Sequence, residues 1–134
     1  MSASDRESVT GGIPWAATYT FVPAVRVGNL LFLSGTTATD DRGQLVGRGD
    51  IVEQTRQIFR KFELLLKSVG GTCDDIVETT DYFLTMENYK KTADVRREFF
   101  KKNYPAATGV QVAALLREGA LIEIKAVAVL GAER

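Results

Sequence analysis

The stretch DIVEQTRQIFRKFELLLKSVGG, Asp50 to Gly71, decides how the rest of this 134-residue chain is read. Ile51, Thr55, Ile58, Phe62, Leu65 and Val69 follow one another at alternating spacings of four and three, which puts them on one face of an amphipathic helix. Asp50, with Glu53 three residues later, makes a capping-box-like start. Gly70-Gly71 stops the helix, because glycine takes the left-handed conformation of a helix C-cap without strain.

Outward from that helix the period changes to two. AVRVGNLLFLSG predicts a strand pair, Ala24–Val27 and Leu30–Ser34, about a Gly28-Asn29 turn. The Gly-, Asp- and Thr-rich run from Thr36 to Asp50 is expected as a surface loop, and residues 1–12 as a loose polar arm. On the other side, Ile76, Glu78, Thr80 and Tyr82 alternate with Val77, Thr79 and Phe83 in a β-branched run from Asp75 to Thr85. ENYKKTADVRREFFKKNY (87–104) predicts a second helix with Tyr89, Thr92, Val95 and Phe99 on one side, closed by Pro105. TGVQVAALL and ALIEIKAVAVL, separated by Arg117-Glu118-Gly119, read as an antiparallel hairpin.

The order strand, strand, helix, strand, helix, strand, strand predicts a single α+β domain spanning 1–134, one sheet with both helices on one face. Val110, Val112, Ile122, Ile124 and Ala126 supply more apolar strand surface than two helices cover. A homo-oligomer is therefore expected.

Composition excludes several chemistries. Lys+Arg and Asp+Glu are both 17, and without a basic excess nucleic acid is disfavoured as a partner. There is no histidine, which removes a Ser-His-Asp triad, a Cys-His pair and His-ligated metals. Cys73 is the single cysteine, so neither an intrachain disulfide nor a cysteine metal cluster can form. No metal and no cofactor is expected. The N-terminus lacks the apolar core of a secretory signal and no run is apolar enough to span a membrane, so the reading is a soluble, cytoplasmic protein.

At VGNLLFLSGTTA and again at YPAATGVQVAALLREGALIEIKAVAV the chain resembles the Rid family of reactive intermediate deaminases, also called YjgF. The resemblance runs from about the first strand to the last. It implies a chorismate-mutase-like α+β fold, a homotrimer whose sheets pack into a central barrel, and ligand clefts between subunits. It also implies hydrolysis of enamine or imine intermediates to ammonia and a keto acid. The acid of the IEI strand, Glu123, would then orient or activate the attacking water. The family's corner reads Pro-Ala-Arg-Ser/Thr, with the arginine gripping a substrate carboxylate; here that position is Ala107, which cannot. Gly35-Thr36-Thr37 stands where many members have Gly-Gln, Gln111 where glutamate is frequent, and Phe21 about where a site tyrosine is common.

The candidate residues follow, each against a plainer role. Glu123 lies between Ile122 and Ile124 and points away from both, so it is either the water-placing carboxylate or one half of a rim salt bridge, for instance to Lys125. Ala107, Thr108 and Gly109 form either a strand entry or a set of N–H and hydroxyl groups that holds the substrate. Ser34, Gly35, Thr36 and Thr37 are turn residues or a hydroxyl-lined cleft wall. Arg26 and Arg117 are surface arginines or replacements for the missing guanidinium. Trp15, Tyr19, Phe21 and Tyr82 are core or interface aromatics, or line the cleft. Cys73, next to Asp74-Asp75, is expected to be inert. The resulting expectation is a deaminase acting on a larger conjugated substrate such as 2-aminomuconate rather than a small 2-imino acid. The alternative is a non-enzymatic trimer that binds a small metabolite.

Overall fold

The computed structural model describes residues 5–132; residues 1–4 of the expected arm lie outside it. The elements in chain order are β1 (Arg6–Val9), β2 (Ala24–Val27), β3 (Leu30–Thr36), α1 (Ile51–Ser68), β4 (Ile76–Phe83), α2 (Thr92–Phe99), β5 (Ala106–Gln111) and β6 (Ile122–Val129). They form one six-stranded mixed sheet in the order β1-β2-β3-β6-β4-β5 with two helices packed on it, the α+β arrangement expected.

Helix α1 has the ends its sequence predicts. The Asp50 carboxylate accepts the N–H groups of Val52 and Glu53, both at 3.1 Å. At the far end Gly70 turns left-handed at φ +80° and the Gly71 N–H returns to the Leu66 carbonyl at 2.8 Å. Ile51, Thr55, Ile58, Phe62 and Leu65 are buried, with Phe59 and Leu66 widening the stripe.

Three expectations are corrected. The last two strands are not a hairpin: β5 pairs in parallel with β4, and β6 lies between β3 and β4, antiparallel to both. Helix α2 is thus the crossover of a β–α–β unit, and the apolar β6 takes the central place that covers it on both edges. Part of the N-terminal arm is strand β1, because Arg6–Val9 pairs with the outer edge of β2 and tucks Val9 into the core. And Ile122, Ile124 and Ala126 face the helices, where each is at most 3% exposed. Of the expected residues Val110 is exposed on the open face, and it is joined there by Leu30 and Phe32 and by the half-buried Val25 and Val127 in register with Phe32.

Helix α2 also stops earlier than Pro105 requires. The Asp74 carboxylate accepts the N–H groups of Lys101, Lys102 and Asn103 at 2.9, 2.8 and 3.1 Å and draws the chain off the helix axis. Burial works against that carboxylate, but the three donors outweigh it and hold its pKa below the ordinary value.

Candidate functional site

The site begins with a parity. Ile122, Ile124, Ala126 and Ala128 of β6 point into the helices, so Glu123 and Lys125 emerge on the other face. Glu123 stands opposite Tyr82 of β4. On its other side β3 is irregular between Leu33 and Thr36, and Gly35 lies against the carboxylate. A Cβ at Gly35 would sit 2.6 Å from Glu123 Oε2, so only glycine leaves the carboxylate its present position. Among the described residues Glu123 forms no ion pair, including none with Lys125.

A groove of about 1340 Å³ runs from Glu123 along the end of β3. One wall is aromatic: Trp15 meets Tyr19 edge-on at 4.9 Å and Phe21 edge-on at 5.3 Å, and the Trp15 indole N–H donates to the Phe21 carbonyl at 2.7 Å. Ser34 secures this wall by donating its hydroxyl to the Val22 carbonyl at 2.6 Å. With that proton committed and no histidine in the chain, Ser34 is a strut rather than a nucleophile.

The opposite wall carries a residue that motif reading missed. Lys61 of α1 donates to Thr36 Oγ1 at 2.5 Å, the Thr37 carbonyl at 2.8 Å and Thr39 Oγ1 at 2.8 Å. Burial, and then the positive charge of Arg117, push its pKa down to about 8. The signal was present: Lys61 falls three residues after Ile58 and four before Leu65, on the apolar stripe itself. Gln54 and Gln57 precede it on the same flank. Buried Gln54 donates to the Gly47 and Gly119 carbonyls and accepts the Leu121 N–H, and Gln57 donates to the Thr39 carbonyl. Three polar side chains of one helix thus hold the loops that shape the groove.

The predicted residues divide. Tyr19, Phe21, Ser34, Gly35, Thr36, Arg117 and Glu123 line the groove, and Tyr82 joins Glu123 and Gly35 in a smaller adjoining hollow. Arg26 does not: its Nε donates to the Gly28 carbonyl of its own turn at 2.9 Å. Ala107, Thr108 and Gly109 are on β5, separated from Glu123 by β4, and line neither hollow of the single chain. A Cβ at Gly109 would come within 2.7 Å of the Tyr89 hydroxyl, so core packing by itself accounts for glycine there. Cys73 is buried and its thiol is pushed up to about 12, by burial first and then by Glu63 and Asp74; it is not a nucleophile.

Residues 13–130 match the family model described as Endoribonuclease L-PSP. The chain belongs to this family, which includes the Rid proteins it resembles. A mouse 2-iminobutanoate/2-iminopropanoate deaminase is 32% identical over 132 residues, 98% of this chain and 96% of that protein. The 3-aminoacrylate deaminase RutC of Acinetobacter baylyi is 32% identical over 108 residues, 81% of this chain and 85% of that one. The crystal structure of YyfA, a conserved Rid-family protein from Yersinia pestis, superposes with a TM-score of 0.84 at 31% identity, covering 94% of this chain and all of that one. Relatives named as enamine or imine deaminases thus share about a third of their residues with this chain across most of its length. No helix among the described residues is long and apolar enough to cross a membrane.

Proposed function

We propose that this protein is a hydrolytic deaminase of an enamine or imine, releasing ammonia, and that its substrate is larger and more conjugated than a 2-imino acid. The observation that carries the reading is the carboxylate of Glu123, without an ion pair among the described residues and held against Gly35 beside Tyr82 in an aromatic-walled groove. In the reaction Glu123 holds a water molecule and accepts one of its protons as the oxygen attacks the electrophilic imine carbon. The nitrogen takes up protons, the carbinolamine collapses, and the C–N bond breaks to give a carbonyl compound and ammonia. An enamine enters the same path after protonation at carbon. Ala107 offers no guanidinium, which is why a small α-imino acid is not the preferred substrate.

We place the working site between subunits of a cytoplasmic homotrimer. The open sheet face, with Val25, Phe32 and Val127 in register, supplies an apolar stripe for self-association. Such packing lets the Ala107–Gly109 corner of one copy complete the groove of another. The test is ammonia release from 2-iminopropanoate generated in situ and from 2-aminomuconate, with Glu123→Gln alongside. The expected result is activity favouring 2-aminomuconate and a loss of about a hundredfold or more in the variant, the usual range for a general base, with the oligomeric state unchanged. Equal activity in wild type and variant would overturn the role of Glu123. Silence of the wild type on both compounds would favour the non-enzymatic metabolite-binding alternative.

A further inference from the structure

The groove has more positive charge than its own carboxylates neutralise. Arg42, Arg48, Arg60, Lys61 and Arg117 all line it. Of these, Arg48 lies 3.7 Å from Glu118. The Asp40 carboxylate is engaged by the N–H groups of Arg42 and Gln44, both at 2.9 Å. Asp41 is exposed, and Glu123 lines the same groove. Lys61 and Arg117 form no ion pair among the described residues, and the positive charge of Arg117 bears on the Lys61 ammonium.

The partners of these two cations are specific in kind. All three acceptors of the Lys61 ammonium are neutral, so its hydrogen bonds are satisfied while its charge is not. Thr39 Oγ1 accepts from Lys61, which turns its own hydroxyl proton away from the ammonium group. Arg117 gives one N–H to the Gly43 carbonyl at 3.2 Å and keeps the rest of its fork. Two like charges brought together in a partly buried groove repel, and an anion between them reverses the sign of that interaction.

We propose that Lys61, Arg117 and the Thr39 hydroxyl form a carboxylate-binding subsite, so that this groove takes an elongated anion with one carboxylate at the cation pair and its reactive carbon at Glu123. Arg117 is the direct contact. Lys61 is a positioning residue that supplies charge and orients the threonines. This rests on the deaminase reading for the role of Glu123, but the subsite is testable without catalysis.

The probe is cis,cis-muconate, an unreactive linear dicarboxylate, compared with its neutral dimethyl ester by calorimetry at pH 7. Wild type is expected to bind the dianion at least ten times more tightly than the diester. Arg117→Gln should abolish most of that preference with diester binding unchanged, and Arg117→Lys should restore part of it. Lys61→Gln should weaken the dianion in the same direction; if its loop collapses and diester binding falls as well, the exposed Arg117 variants decide. No preference for the dianion in wild type, or full preference in Arg117→Gln, overturns the proposal. If muconate binds through Arg117 while no substrate yields ammonia, the deaminase reading fails and the subsite stands. If ammonia is released from 2-aminomuconate with KM unchanged in Arg117→Gln, the subsite fails and the deaminase reading stands.

Discussion

The two faces of the sheet use the same strands for opposite purposes. Beneath the helices β6 presents Ile122, Ile124, Ala126 and Ala128, fully enclosed against Phe59, Phe62 and Leu66. On the other face the same strand presents Glu123, Lys125, Val127 and Val129. That open face is itself divided: its apolar end holds Val127 beside Phe32 and Val25, and its polar end holds Glu123 beside Tyr82 and Gly35. The helix-covered face stores the stability of the chain. The open face carries apolar residues at one end and the Glu123 carboxylate at the other, and the period of two is what keeps both apart from the helix-covered residues within one eight-residue strand.

Substitutions on the two faces should separate these roles. Phe62→Ala removes a side chain with no solvent exposure and should cost about 3–5 kcal/mol in urea unfolding. Phe32→Asp, at a side chain 45% exposed, should instead turn the proposed homotrimer into folded monomers in sedimentation. If Phe32→Asp left the oligomer intact, the apolar end of the open face would not be an association surface. Gly35→Ala sharpens the comparison at the polar end: the new methyl displaces the Glu123 carboxylate rather than backbone, so ammonia release should fall about tenfold, roughly 1.4 kcal/mol in the barrier. Stability should change much less.

The smallest effect is a slope with pH. Lys61 has a folded pKa near 8, below its ordinary 10.5, so between those values the unfolded chain binds more protons than the folded one. Stability should therefore rise as pH climbs from about 8 to 9, because the folded protein sheds the proton that burial and Arg117 oppose; above 9 the buried Cys73 thiol, pushed up to about 12, works in the opposite direction. Lys61→Met should flatten that rise in denaturant titrations. A wild-type curve without the rise would mean the ammonium is better solvated than its enclosure implies.

What could be read from the sequence was local. The limits of α1 are written into Asp50 and Gly70, since caps act within a turn of the residues they serve. The orientation of Glu123 against Ile122 and Ile124 is a property of any strand. Strand partnership is different, because it is chosen by competition among distant segments. The Arg117–Gly119 turn looked like a hairpin connection, but the apolar β6 is better covered between β3 and β4 than at an edge with β5. Lys61 was legible as a lysine on an apolar stripe, yet its role was not: Thr36, Thr37 and Thr39 reach it only because the loop after β3 folds back over α1.

The sequence by itself determined the α+β class, the long helix, the absence of histidine chemistry and the side of its strand on which Glu123 emerges, because periodicity, caps and composition are short-range or global properties of a chain. Tertiary structure alone decided that β6 is central, that Gly35 makes room for the Glu123 carboxylate, and that Lys61 and Arg117 share one groove. Those facts depend on which segments outcompete others for burial, and that is settled only when the whole sheet forms.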